Sequence, residues 1–234
     1  MVEAHIEIPL SVLAKRVRAR AAACPGRYVL GIAGPPGAGK STLSAALREA
    51  LNAAADRPVA EIAPMDGFHL PNEVLRAAGS LARKGEPDTF DAAGFVAHLE
   101  RLRHTPVGQR MLWPTFDRSI EEPVPGGVVF DSQPIVITEG NYLLLDGTLT
   151  DAESTAAWSG VRKLLDECWY LDATRESLEE RLLHRHIRGG RTPEEAKVKV
   201  TDSDLRNADL VAPTSIHADL VLHERGGKYY TIAT

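Results

Sequence analysis

The stretch "GIAGPPGAGKST", Gly31 to Thr42, concentrates residue types that handle phosphate. Gly34, Gly39, Lys40 and Ser41 satisfy the spacing G-x-x-x-x-G-K-[ST], with Pro35, Pro36, Gly37 and Ala38 between and Thr42 following. Glycines let backbone N–H groups turn onto phosphate oxygens with no Cβ in the way. Lys40 brings a positive charge to the β/γ-phosphates, and Ser41 offers a hydroxyl to Mg²⁺. A helix starting near Lys40 aims its N-terminal dipole at the same anion. The motif implies a nucleoside triphosphate and leaves open what happens to its last phosphate.

Two carboxylates and a set of arginines bear on that. Asp66, in "IAPMDGFHL", follows an apolar run. Ligands of α/β sheets bind beyond the carboxyl ends of strands. A carboxylate there can take the proton of a hydroxyl attacking the γ-phosphate, although a turn aspartate before Gly67 is the plainer role. Glu139 closes the apolar run of "IVITEGNYLLL". This is where a carboxylate supporting Mg²⁺ is expected, most often as aspartate. Arg181, Arg185, Arg188 and Arg191 fall within eleven positions, interleaved with His184 and His186. Beside a nucleotide, such arginines neutralise charge that develops during transfer. Arg181 is expected on a solvated helix face, where Glu180 can pair with His184. "RGGR" reads as the hinge of a lid covering about residues 181–200.

The elements that must position these groups alternate. "RYVLGIAG", "VAEIA", "PIVIT" and "CWYLDA" read as strands, and "ADLVLHE" and "KYYTIAT" as edge strands. "STLSAALREALNAAA", "DAAGFVAHLERLRH", "GVRKLLDE" and "TRESLEERLLHRHI" read as helices. Pro9 to Ala23 reads as an amphipathic helix with Leu10, Leu13, Ala14 and Val17 on one face, within an N-terminal extension over 1–26. The pattern predicts an α/β fold with a mainly parallel sheet flanked by helices, as one domain over 1–234. "DAAG", Asp91 to Gly94, matches the short DxxG pattern of GTPase switches, but Asp91 is more simply a helix N-cap. No [NT]KxD guanine signature exists in the chain.

Composition narrows the classes. The 234 residues carry 27 basic and 32 acidic side chains, net −5, which disfavours a nucleic-acid partner. No stretch approaches the ~18 apolar residues of a membrane span. Cys24 and Cys168 show no metal or disulfide spacing, so reduced thiols and a cytoplasmic location are expected.

Taken together, "GPPGAGKST", "PMDGFHLPN", "RKGEPDTFD", "WPTFDRSIEEP", "TEGNYLLLD" and "RHIRGGRTPEEA" resemble the P-loop kinase family of uridine kinase, phosphoribulokinase and bacterial pantothenate kinase. The likeness runs from about residue 29 to 222 and leans to the nucleoside kinase and fructose-transport-kinase-like branch. It implies a P-loop NTP hydrolase fold with an Arg-rich lid, ATP and Mg²⁺, and phosphorylation of a hydroxyl on a small metabolite. A nucleoside or sugar leads, with a pantothenate-type vitamin precursor as the alternative. The resemblance implies catalytic roles for Asp66, Lys40 and Arg185, nucleotide contacts for Gly34–Thr42, Arg188 and Arg191, and metal support from Ser41 and Glu139. Substrate-side positions are Asp66, His69, Asp88, Phe116, Arg118 and Glu139. Arg118 fits either an anionic or polyhydroxylated group or an ion pair with Glu121 or Glu122. His69 and Leu182 replace the tyrosine and arginine usual in uridine kinases, which weakens uridine itself. His186 stands where the family usually has an acidic residue. Related kinases are often dimers or tetramers, which implies a homodimer. The competing class is a nucleotide-dependent switch or ATP-binding module that passes phosphate only to water.

Overall fold

The computed structural model describes residues 5–146 and 156–232. Apolar runs form the strands at the centre. β2 (Tyr28–Ala33) and β6 (Ile135–Gly140) are buried at every position, as parallel strands covered on both faces must be. With β3 (Ala60–Pro64), β7 (Glu167–Asp172) and β8 (Leu220–Arg225) they make a parallel set in the order β8-β7-β2-β6-β3. β9 (Lys228–Ile232) and β1 (His5–Glu7) complete a seven-stranded sheet, each joined to its neighbour antiparallel. The N-terminal segment, expected as a helical extension, thus also supplies a sheet edge. The last two residues of "KYYTIAT" lie outside the described residues.

Two cores form, one on each face of the sheet. One gathers Leu13, Ala14 and Val17 of α1 (Leu10–Ala22), Leu43, Leu47 and Leu51 of α2 (Lys40–Asn52), and Leu178 and Leu182 of α5 (Arg175–Arg188). Each such Leu or Val contributes about 1.5–3 kcal/mol by leaving water. The other holds Phe68, Phe95, Trp113 and Trp158, with Phe95 on α4 (Ala92–His104). Asp91 caps α4 by accepting from the Gly94 N–H at 2.9 Å. α3 (Asn72–Ala77) follows the turn that carries Asp66.

Two segments differ from the sequence reading. "GVRKLLDE" is not an α-helix but part of two short 3₁₀ turns, Ala157–Gly160 and Arg162–Leu164. Asp166 is already joined to the β2 edge: its N–H donates to the Val29 carbonyl at 2.9 Å, and its carboxylate accepts from the Val29 N–H at 2.8 Å. Too few residues remain for a helix. "WPTFDRSIEEP" lies in an antiparallel hairpin of β4 (Met111–Asp117) and β5 (Glu122–Phe130), whose prolines and glycines hide it from strand patterning. Gly67 lets this hairpin approach, since a Cβ there would sit 2.2 Å from the Pro114 carbonyl oxygen. Trp113 Nε1 then donates to the Pro64 carbonyl at 3.0 Å, fastening the hairpin to the end of β3.

Candidate active site

The loop between β2 and α2 turns because Gly34, Gly37 and Gly39 hold φ of 145°, 81° and 94°. At Gly34 a Cβ would also meet the Leu171 carbonyl oxygen at 2.2 Å. α2 begins at Lys40, so its free N–H groups face the loop. Lys40 Nζ donates to the carbonyls of Gly34 and Pro35, both at 2.9 Å, and to Asn141 Oδ1 at 2.7 Å. Ser41 Oγ lies 3.1 Å from Glu139 Oε1 at the end of β6. These two hard oxygen donors beside a phosphate loop suit Mg²⁺, which usually takes few protein ligands and completes its shell with phosphate and water. Among the described residues no group of three or more His, Cys, Asp or Glu side chains could hold a metal ion.

A cavity of about 900 Å³ opens over this loop. Pro36, Gly37, Gly39, Lys40, Ser41 and Thr42 line one end; Asp66, His69, Phe116 and Arg118 line the other, with Glu139 between. Ala38 is buried in the core beneath. Asp66 sits on the turn after β3 and accepts from Arg118 Nη2 at 2.9 Å, so Arg118 pairs with Asp66 rather than with Glu121 or Glu122. Glu122 instead accepts from the Asn72 N–H. His69 Nε2 is 4.0 Å from Asp66 Oδ1. Its ring stacks on Phe90 at 3.9 Å and leans on Phe116 at 4.7 Å.

Arg181, Arg185 and Arg191 line the cavity from α5 and the turn after it; exposed Arg188 does not. Arg181, expected on a solvated face, pairs with Glu224 and reaches the Gly37 carbonyl at 3.5 Å. Glu180 and His184 form no ion pair among those of the described residues and are both exposed. Asp88 is not in the cavity wall, because Arg83 grips its carboxylate through both terminal nitrogens. Leu182, expected to face the acceptor, is fully buried under the phosphate loop, where its side chain fills the space beside Gly37.

Burial dominates the electrostatics. It pushes Lys40 down to about 8, against the pull of Glu139 and Asp66. It pushes Glu139 up, reinforced by Asp66 and opposed by Lys40 and the Ser41 hydroxyl. An arriving phosphate adds negative charge beside Lys40 and so favours its ammonium form. His69 is lowered to about 4, again first by burial.

Several lining residues were not singled out from the sequence, although Lys84 and Asn141 fall within the quoted strings "RKGEPDTFD" and "TEGNYLLLD". Asn141 lies two positions after Glu139, and its neighbourhood alone hinted at a role. Lys84 lies over the Phe116 ring at 5.0 Å, while Lys199 and Asp204 come from a helical region with no motif of its own.

A second, smaller cavity of about 420 Å³ adjoins the loop at Gly39 and Thr42. Its far wall is Glu7–Leu10, Arg181 and the turn between β8 and β9.

Comparison with known proteins agrees with the fold that carries this site. A family profile described as an AAA domain, AAA_18, matches residues 30–201. A curated protein named "Putative uridine kinase" from Schizosaccharomyces pombe is 35% identical over 205 residues, covering 85% of this chain and 83% of its own length. A pantothenate kinase from Mesorhizobium japonicum is 28% identical over 84% of this chain and 67% of its own. The crystal structure of a "putative fructose transport system kinase" from Silicibacter sp. superposes with a TM-score of 0.79 at 36% identity, covering 92% and 98% of the two chains. Phosphoribulokinase from Rhodobacter, at 12% identity and a TM-score of 0.55, shares the fold over 85% of this chain and 70% of its own. The chain belongs to the P-loop kinase family that contains uridine kinase, phosphoribulokinase and bacterial pantothenate kinase, and is a small-molecule phosphotransferase.

Proposed function

We propose that the protein transfers the γ-phosphate of ATP directly to a hydroxyl of a small nucleoside or sugar. The observation that carries this is one cavity walled by Lys40 and Ser41 at one end, by Asp66 at the other, and by Arg185 and Arg191 along the side. The loop N–H groups and Lys40 bind the phosphates, and the smaller cavity beside Thr42 is sized for the nucleotide's base. Ser41 and Glu139 would hold Mg²⁺, which supplies charge neutralisation at the β- and γ-oxygens. Asp66 orients the acceptor hydroxyl and takes its proton as attack proceeds. Arg118 on Oδ2 of Asp66 fixes the rotamer of that carboxylate. Arg185 and Arg191, with the 181–200 segment as a lid, spread the charge of the transferring group. His69, Phe90 and Phe116 offer apolar faces to a ring, while Asp66, Arg118 and Asn72 offer polar contacts to its hydroxyls.

A pantothenate-type acceptor is the second reading, favoured by Lys84 and Arg118 at the acceptor end, which would suit a carboxylate. ADP release is measured with uridine, cytidine, fructose, ribose, glycerate and pantothenate. Stimulation by one acceptor, with the phosphorylated product identified by mass, is expected and selects between the readings. Basal hydrolysis that no acceptor changes would instead support an ATP-binding module.

A further inference from the structure

Asp204 ends a π-helical turn, Val200–Asp204, that joins α6 (Pro193–Lys199) to α7 (Leu205–Val211). π turns within helices recur at functional sites. The Asp204 side chain is only 9% exposed, and its Oδ2 lies 2.5 Å from His186 Nε2. Its Oδ1 lies 3.7 Å from Arg185 Nη2. The other ring nitrogen of His186, Nδ1, meets Arg191 Nη1 at 2.6 Å. A guanidinium has no acceptor, so Nδ1 must accept from Arg191, and Nε2 carries the proton that Asp204 accepts. One buried carboxylate therefore holds two of the three cavity-lining arginines of this segment, Arg185 by charge and Arg191 through the imidazole, while Arg181 is held by Glu224.

The turn is itself anchored. Lys199 Nζ donates to the carbonyls of Ala82 at 3.2 Å and Lys84 at 2.8 Å, and to Ser203 Oγ at 3.0 Å. Asn207 Nδ2 donates to the Gly85 carbonyl at 3.3 Å. A carboxylate fixed this way is a rigid reference point. Long side chains lose rotamer freedom when they close on a phosphate, and fastening them beforehand removes part of that cost.

We infer that Asp204, acting through His186, is a positioning residue that holds Arg185 and Arg191 ready for the terminal phosphate. The inference rests on the reading of those arginines given under the proposed function. It is tested with the full chain by calorimetry, comparing ADP with a non-hydrolysable ATP analogue, each with Mg²⁺. The parent binds the analogue more tightly than ADP. Asp204→Asn and His186→Ala each lower that preference about tenfold, the scale of one lost charge-assisted hydrogen bond, while ADP affinity holds. His186→Gln, whose amide can donate and accept at similar spacing, recovers most of the loss. Should Asp204→Asn fail to fold, the Ala and Gln variants of His186 decide the matter. The inference is overturned if the preference is unchanged in His186→Ala, if ADP affinity falls in the same proportion, or if the Gln variant is no better than Ala. A parent with no acceptor-stimulated ADP release would defeat the functional reading instead, and the affinity ratio would still judge the positioning role.

Discussion

His69 makes stability depend on pH in a way that can be isolated. Its side chain is 10% exposed, and its Nδ1 is buried without a hydrogen-bond partner. Burial lowers its pKa to about 4 from an ordinary 6.5. Between those values the unfolded chain binds the proton and the folded chain does not, so acid favours unfolding. The stabilising neutral imidazole is fully favourable above the unfolded value and is lost as pH falls toward the folded one. Linkage gives a loss of about 2 kcal/mol on moving from about pH 7 to about pH 5, and about 3 kcal/mol at the limit. Other groups titrate too, so the parent is compared with His69→Phe, which keeps a ring stacked on Phe90 and has no proton to gain. Urea unfolding at the two pH values is the assay. With a slope of about 3 kcal/mol/M, the parent's midpoint should fall about 0.7 M further than that of the variant. Equal shifts in the two proteins would refute the reasoning, because His69 would then be titrating alike in both states.

Other outcomes follow from the same geometry. Lys40→Ala should abolish acceptor phosphorylation, measured as product formation, because it removes the charge that the loop and α2 bring to the phosphates. Asp66→Asn should lower kcat by about 10²–10⁴-fold, the usual worth of a positioned base, with ATP affinity retained by calorimetry. Parental turnover would make Asp66 a turn residue only. Gly67→Ala sets a Cβ 2.2 Å from the Pro114 carbonyl, so the hairpin must move off the turn that carries Asp66. We expect a loss of about 1–3 kcal/mol, read as a lower Tm, together with a reduced kcat.

Much of the site was legible because its parts are local. The phosphate loop, Asp66 and Glu139 each sit at the end of an apolar run, and parallel strands bring such ends to one edge of the sheet. Asp91 was readable as a cap for the same reason, since its partner Gly94 is three residues away. Side-chain direction was not legible. Asp88 is taken by Arg83, Arg188 is exposed and not part of the cavity wall, and Leu182 turns inward beneath Gly37. The placing of Leu182 depends on how α5 packs on a loop far along the chain, and that of Asp88 on a turn of its own loop that brings Arg83, five positions away, onto it.

From the sequence alone came the nucleotide class, the alternation of the central strands with most of their helices, and the likeness to a kinase family, because spacing motifs and apolar periodicity act over a few residues. Only the tertiary structure decided which arginines reach the cavity, that Arg118 pairs with Asp66, and that Asn141, Lys84, Lys199 and Asp204 join the wall. Two of those contacts join residues 52 positions apart, Arg118 and Asp66, and 101 apart, Lys40 and Asn141. They form because strand register and helix packing close distances that local pattern does not encode.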